Sequence, residues 1–217
     1  MKTITYLMTV LVLLTTGCQQ RTPEEVAEIV GRAKINSVEK DVELRVQEMT
    51  KRLLIHPESY QSISTEMSVV TSNMILYDSK AFVALRDLNR ALEDFHKEYG
   101  NDTTSQKVRD ELEVMQAMAG VVYDRIVAVT KRPVKFNAID AYHQFYVNDN
   151  HNHKVKKGYH FVIHENNQIT LLCDHDELLR VEAFAKRLFD YPPYKTNGNT
   201  IEHWLLSPED NAVNEME

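Results

Sequence analysis

The chain has 217 residues, of which 43% are hydrophobic and 26% are charged, and its formal net charge is −7. This hydrophobic share excludes the disordered class of proteins, so we expect the chain to bury a core. Because binding to phosphate backbones needs clustered lysine and arginine, the acidic balance argues against a general nucleic-acid or polyanion binder.

The first eighteen residues form a distinct segment, with Lys2 followed by a mostly apolar run from Ile4 to Leu14. A membrane-spanning helix needs about 20 apolar residues, so this shorter run is typical of a secretory signal peptide. The segment ends in Leu13-Leu14-Thr15-Thr16-Gly17-Cys18, which resembles the lipobox of bacterial lipoproteins. The resemblance implies that residues 1–17 are removed and that Cys18 becomes a mature N-terminus carrying diacylglycerol and an N-linked acyl chain such as palmitate.

A lipid on Cys18 would hold the protein on a membrane of the cell envelope, with residues 18–22 as the tether. An aspartate directly after the cysteine would resemble an inner-membrane retention signal, whereas this chain has Gln19. The outer membrane is therefore the expected location. The acidic Glu24 and Glu25 do not follow Cys18 directly but come several residues later, after Arg21. The sequence therefore leaves open whether the protein faces the periplasm or the cell surface.

Helical signals begin at Thr22 and Pro23. Thr22 can cap a helix, Pro23 suits its first turn, and the acidic residues that follow favour the positive end of the helix dipole. Apolar residues then recur at loose helical spacing as far as Leu53. We expect a break or loosening near Asn36-Ser37 and an end at His56-Pro57, because a residue before proline is pushed out of the helical region.

An extended strand from Tyr60 to Val70 is predicted next, followed by helices at Ser79–Tyr99 and at about Ser105–Thr130. Each helix has an apolar stripe at helical spacing, and a short polar turn separates the two helices. They are therefore predicted to form an αα-hairpin. Met115 and Met118 lie on the second stripe and are assigned to the core, the alternative being a pliable binding surface.

After Pro133 the sequence becomes rich in aromatic and β-branched residues. A polar turn at 149–153 and a tight turn at 165–167 separate three predicted strands at Val134–Asn148, Gly158–His164 and Ile169–Cys173. A last helix, capped by Asp174, is expected to continue to Leu188.

These elements predict an α+β fold with a long N-terminal helix, an αα-hairpin, and a small antiparallel sheet of three to four strands with a C-terminal helix. Residues 23–206 are expected to form a single domain with an N-terminal helical extension. Residues 207–217 are expected to form an acidic flexible tail.

Two stretches of the chain are Leu54-Ile55-His56-Pro57-Glu58-Ser59-Tyr60-Gln61-Ser62-Ile63 and Tyr159-His160-Phe161-Val162-Ile163. Together they resemble a group of small Bacteroidetes lipoproteins, whose members mostly lack assigned functions. The resemblance implies an α+β domain whose first strand starts at a turn of the type Pro-acid-Ser-aromatic. It implies nothing about mechanism.

Histidines are concentrated in the second half of the chain, and two of them share one predicted turn. A metal site needs several imidazoles at fixed geometry, and a His-x-His spacing can supply two ligands from one loop. The candidate metal ligands are His151, His153, His160 and His164, with Asp174 or Asp176 nearby. Strand alternation places His160 and His164 on the more polar face of their strand, toward solvent or a groove. The alternative is that all four are ordinary polar residues of a hairpin.

Three further features have two interpretations each. Asp174 and Asp176 flank His175 and suit either acid–base chemistry or the first turn of a helix. A positive patch suits either contact with an anionic partner or a solvated turn, and it consists of Lys154, Lys156 and Lys157. Cys173 lies in an apolar run and is predicted to be a buried core residue, the alternative being a reactive thiol.

The sequence contains no Gly-x-Ser-x-Gly motif and little glycine for phosphate-binding loops, so no residue is assigned to catalysis. We expect a non-catalytic binding or structural lipoprotein of the cell envelope, with a membrane as one partner and an envelope protein as another. No nucleic-acid partner is expected, and no cofactor is predicted apart from the covalent lipid on Cys18. The alternative is a metal-dependent or hydrolytic envelope enzyme that uses the histidine-rich hairpin.

Overall fold

The computed structural model describes residues 21–100 and 105–190. In these ranges the chain forms four α-helices and one four-stranded antiparallel sheet, which confirms the predicted α+β fold. The helices are α1 (Pro23–Leu53), α2 (Ser79–Tyr99), α3 (Gln106–Thr130) and α4 (His175–Asp190). The strands are β1 (Gln61–Thr71), β2 (Phe136–Asn148), β3 (Lys154–His164) and β4 (Ile169–Asp174). Cys18, the predicted signal peptide and the predicted tail lie outside the described residues.

The described chain divides into two compact units. The first unit contains α1, the four strands and His175, and the second contains α2, α3 and α4 from Asp176 onward. No helix among the described residues combines the length and the apolar character needed to cross a membrane.

A reciprocal cap starts α1. The Thr22 side chain accepts a hydrogen bond from the Glu25 backbone N–H, and the Glu25 carboxylate accepts one from the Thr22 N–H. Together with Pro23 in the first turn, these bonds satisfy N–H groups that would otherwise lack helical partners. The helix ends at Leu53, close to the predicted stop.

The predicted break near Asn36-Ser37 is wrong, because α1 is continuous through both residues. Both side chains are exposed, so neither polar group interrupts the buried face. The Ser37 hydroxyl donates to the Lys34 carbonyl oxygen at 2.7 Å, which satisfies the hydroxyl within the helix.

The sheet has the order β1-β2-β3-β4, and every neighbouring pair is antiparallel. β3 begins at Lys154, four residues before the predicted Gly158, because the β2–β3 ladder continues down to the pair Asn148–Lys154. The intervening turn is held by Asp149, whose carboxylate accepts hydrogen bonds from the backbone N–H groups of His151 and His153.

One face of the sheet packs against α1 and forms the core of the first unit. The buried residues of this core are Ile35, Val42, Val46, Val69, Ile139, Ala141, Phe161, Ile163 and Ile169. Alternation along β2 and β3 therefore sends odd-numbered residues toward α1 and even-numbered residues to the opposite face. The contact between α1 and β1 is close at Gly31, where an added Cβ would lie 2.4 Å from Cγ2 of Val69.

In the second unit α2 and α3 form the predicted αα-hairpin. Asp78 caps α2 through the Ala81 N–H and also pairs with Arg132 beyond the end of α3, at 2.7 Å. At the other end of the hairpin, the Tyr99 hydroxyl donates to Glu111 at 3.1 Å. Contacts at both ends fix an antiparallel arrangement.

The predicted apolar stripe of α2 is buried along its length, at Phe82, Leu85, Leu88, Leu92 and Phe95. The assignment of Met118 to the core is wrong, because this side chain on α3 is 44% exposed. The buried stripe of α3 passes instead through Ala119, Val122 and Ile126.

Candidate functional site

The candidate site lies on the even-numbered face of the sheet, opposite α1. β2 supplies Asp140 and Tyr142, β3 supplies His160, and the start of α4 supplies His175. Tyr142 and His160 are direct cross-strand partners, and α4 follows β4 without a loop. The sheet register and this short connection bring the four side chains together.

Asp140, His160 and His175 form a continuous row of hydrogen bonds. Nδ1 of His160 lies 3.0 Å from Oδ2 and 3.2 Å from Oδ1 of Asp140. Its other nitrogen, Nε2, lies 3.0 Å from Nδ1 of His175. Both ring nitrogens of His160 are therefore used, and the row connects a carboxylate to a second imidazole.

The row has a buried end and an open end. Asp140 is 4% exposed and His160 is 5% exposed, whereas His175 is partly exposed. The hydrogen bonds of the row involve both oxygens of Asp140, both ring nitrogens of His160 and Nδ1 of His175, so Nε2 of His175 takes no part in the row. A buried carboxylate is costly unless it is paired, so this geometry binds His160 firmly and leaves Nε2 of His175 available.

Tyr142 packs against both imidazoles. Its ring stacks on His160 with a centroid distance of 4.7 Å and an interplanar angle of 14°, and it lies 4.6 Å from the ring of His175. Gln144 donates its amide Nε2–H to the Tyr142 hydroxyl at 2.8 Å. Opposite Gln144, Gly158 leaves room for the tyrosine ring, because a Cβ there would lie 2.6 Å from Cε2 of Tyr142. The ring planes of the row are thus held in place by packing.

The hydrogen bond between the two imidazoles needs one donor and one acceptor, so a single proton lies between His160 and His175. The Asp140 carboxylate accepts from Nδ1–H of His160. The proton shared by the two imidazoles can then reside either on Nε2 of His160 or on Nδ1 of His175. A neutral His160 accepts from His175 and leaves a lone pair on Nε2 of His175. The arrangement can therefore pass a proton between its open end and its buried end.

His143 is a second buried histidine, on the α1 side of β2. Its Nε2 lies 2.7 Å from the Tyr60 hydroxyl and its Nδ1 lies 2.9 Å from the Thr65 hydroxyl. Burial lowers the pKa of His143, and a backbone hydrogen bond at Ser64 offsets only part of this effect. With two neutral hydroxyl partners and no carboxylate, His143 is a neutral structural residue.

The four predicted metal ligands are spread along the β2–β3 hairpin. His151 and His153 lie in the 149–153 turn, and His164 lies at the far end of β3, with Nε2 3.1 Å from the Thr170 hydroxyl. At about 3.3 Å per residue, the ends of β3 are more than 30 Å apart. Within residues 21–100 and 105–190, no group of three or more histidine, cysteine, aspartate or glutamate residues is placed to hold a metal ion. Metal binding at these histidines stays a prediction.

His160 does lie on the predicted face of β3, away from Phe161 and Ile163, but it is buried and does not face solvent. The reason is its pairing with Asp140, which the sequence reasoning missed. The available signal was a carboxylate between Ile139 and Ala141 in a predicted strand, where an ionisable residue needs a partner. His175 was singled out with its flanking aspartates, and the structure pairs it with His160.

The remaining predicted features lie elsewhere. The lysine patch lies on β3, not in a solvated turn, and Lys154 donates to Gln61 at 2.8 Å and sits 4.4 Å from the Tyr146 ring centroid. Cys173 is 4% exposed, which confirms its assignment to the core.

Comparisons of the chain with protein-family models, with curated proteins and with solved structures found no match. The candidate site is therefore defined by the chain's own residues.

Proposed function

We propose that this chain is a lipoprotein of the bacterial cell envelope, attached to the outer membrane through Cys18, and that its body contacts another envelope protein. The observation that carries the proposal is the sequence Leu13-Leu14-Thr15-Thr16-Gly17-Cys18 after a short apolar run. The capped start of α1 at Pro23 supports it, because the folded body begins directly after the proposed tether.

The two cysteines of the chain make the anchor directly testable. Cys173 is 4% exposed in the core, so Cys18 is the thiol expected to take lipid. In cells labelled with radioactive palmitate, we expect Cys18→Ala to abolish labelling and to release the protein from the membrane fraction.

Cys173→Ala is the matched control, and this variant should keep both the label and the membrane fractionation. Palmitate labelling that persists in Cys18→Ala would contradict the proposal. Separation of inner and outer membranes tests the location, and recovery of the labelled protein with inner-membrane markers would exclude the outer membrane.

An exposed apolar row on α3 supports the binding role. Val114, Met118 and Val121 recur at spacings of four and three, so they share one face of the helix. They are 61%, 44% and 63% exposed, and we propose this row as the contact surface, since contact sites on proteins are contiguous exposed apolar patches. The expected occupant is another envelope protein.

A photoreactive amino acid placed at Val121 tests this surface in cells. We expect one cross-linked species of defined mass at Val121 and none when the same amino acid replaces the exposed Glu113 on another side of α3. Equal cross-linking at both positions would contradict a specific contact.

A further inference from the structure

We propose that Asp140, His160 and His175 form a proton relay that makes Nε2 of His175 a general base toward water or a substrate hydroxyl group. This inference goes beyond the lipid anchor and does not depend on it. It rests on the hydrogen-bonded row, on the gradient from a buried to an open end, and on the packing of Tyr142.

The proton movements balance within the row. In the resting arrangement, Asp140 accepts from Nδ1–H of His160, Nε2 of His160 accepts from Nδ1–H of His175, and Nε2 of His175 holds a lone pair. When that lone pair takes a proton, an N–H bond forms and the O–H bond breaks, leaving its electron pair on the oxygen. The Nδ1 proton of His175 then moves to Nε2 of His160.

The positive charge is now on His160, between the Asp140 carboxylate and a neutral His175. Attraction over 3.0 Å is strong there because both side chains are removed from water. The stacked face of Tyr142 adds a favourable contact with an imidazolium ring. Reversing the movements returns the proton to a leaving group, so the same row can act as a general acid.

The oxygen from which the proton is removed becomes a nucleophile, which suits hydrolysis of an acyl compound by water. In this scheme His175 is the catalytic residue, and Asp140 and His160 are positioning residues that act through it. A buried network with a purely structural role would share the distances but would not raise the reactivity of His175.

Hydrolysis of p-nitrophenyl acetate by the purified full chain tests the relay. We expect His175→Gln to lower the protein-dependent rate by about 10²-fold, the lower end of general acid–base effects. His56→Gln, at a partly exposed position outside the row, should leave the rate unchanged. A wild-type rate no higher than that of His175→Gln would overturn the proposal.

Asp140→Asn tests the positioning role, since it keeps the size of the side chain and removes its charge. Because Asp140 does not reach the substrate, we expect a lower kcat with an unchanged KM. An unchanged kcat would overturn the relay. Far-UV circular dichroism verifies folding of each variant, and His175→Gln, at a partly exposed position, does not depend on a buried substitution.

A second readout needs no substrate. Long-range ¹⁵N–¹H spectra of the unsubstituted protein identify which nitrogen of each histidine carries hydrogen. At neutral pH we expect His175 to carry it on Nδ1, leaving Nε2 with a lone pair. A neutral His175 with hydrogen on Nε2 would overturn the proposal, because that nitrogen could not accept a proton.

Discussion

Replacing Gly31 by alanine should destabilise the protein, although the same change in an open helix is stabilising. Alanine is favoured over glycine inside a helix by about 0.8–1 kcal/mol. At Gly31, however, the new Cβ would lie 2.4 Å, 2.6 Å and 3.0 Å from Cγ2, Cγ1 and Cβ of Val69. Ordinary carbon contacts lie at about 3.5–4.0 Å, so α1 and β1 would have to separate by about 1 Å.

Inserting a methyl group into a packed core costs about 1–3 kcal/mol. After subtracting the gain in helix propensity, we expect Gly31→Ala to lower the free energy of unfolding by up to about 2 kcal/mol. Urea unfolding followed by circular dichroism measures the change as a lower midpoint at constant slope. Asn36→Ala is the matched control, since this exposed site of α1 lacks the clash and should gain a few tenths of a kcal/mol.

A double-mutant cycle identifies the cause. Val69→Ala alone should destabilise the protein, because Val69 is 8% exposed in the core. In the double variant the new methyl group fills part of the space that the valine leaves. The double variant should therefore lose less free energy of unfolding than the sum of the two single losses, by about 1 kcal/mol or more. Strict additivity, or a stabilised Gly31→Ala variant, would refute the close contact.

Two further predictions concern stability. The unfolded chain protonates histidine near pH 6.5 and folded His143 protonates only at lower pH, since burial lowers its pKa. The stability contributed by neutral His143 is thus fully present above about pH 6.5 and is lost as the pH falls toward the pKa of His143 in the folded protein. Between pH 8 and pH 5, the thermal unfolding midpoint should therefore fall more steeply for the wild type than for His143→Gln. Burial alone would raise the pKa of Asp78, but its hydrogen bond from the Ala81 N–H and its pairing with Arg132 outweigh this and lower the pKa. Asp78→Ala should cost about 1 kcal/mol through loss of the α2 cap, and Asp78→Asn, which retains a capping oxygen, should cost less in the same urea titration.

The elements that the sequence predicted best are those whose local signals agree with their packing. α2 matches its predicted bounds because the cap, the apolar stripe and Gly100 all indicate the same helix. The break in α1 was mispredicted because Asn36 and Ser37 have low helix propensity, whereas packing of Ile35 and Val42 against the sheet decides the conformation.

The candidate site was only partly predictable for a related reason. Periodicity places His160 on the correct face of β3, yet the residue that determines its role, Asp140, lies twenty positions away on another strand. Cross-strand register depends on the whole β2–β3 ladder, and local patterns do not specify it. His175 joins the site because α4 begins directly at the end of β4.

The row from Asp140 to His175 also bears on how the strands find their partners during folding. Side chains alternate between faces, so shifting β3 by one residue against β2 would turn His160 toward α1 and leave the Asp140 carboxylate buried without its imidazole. His143 in the adjacent strand faces the other way and is bonded to the hydroxyl groups of Tyr60 and Thr65, so it cannot replace His160. Asp140 and His160 therefore make misaligned pairings unfavourable that the apolar residues of the two strands would tolerate. Variants that remove Asp140 or His160 should be tested for strand slippage and aggregation as well as for reactivity.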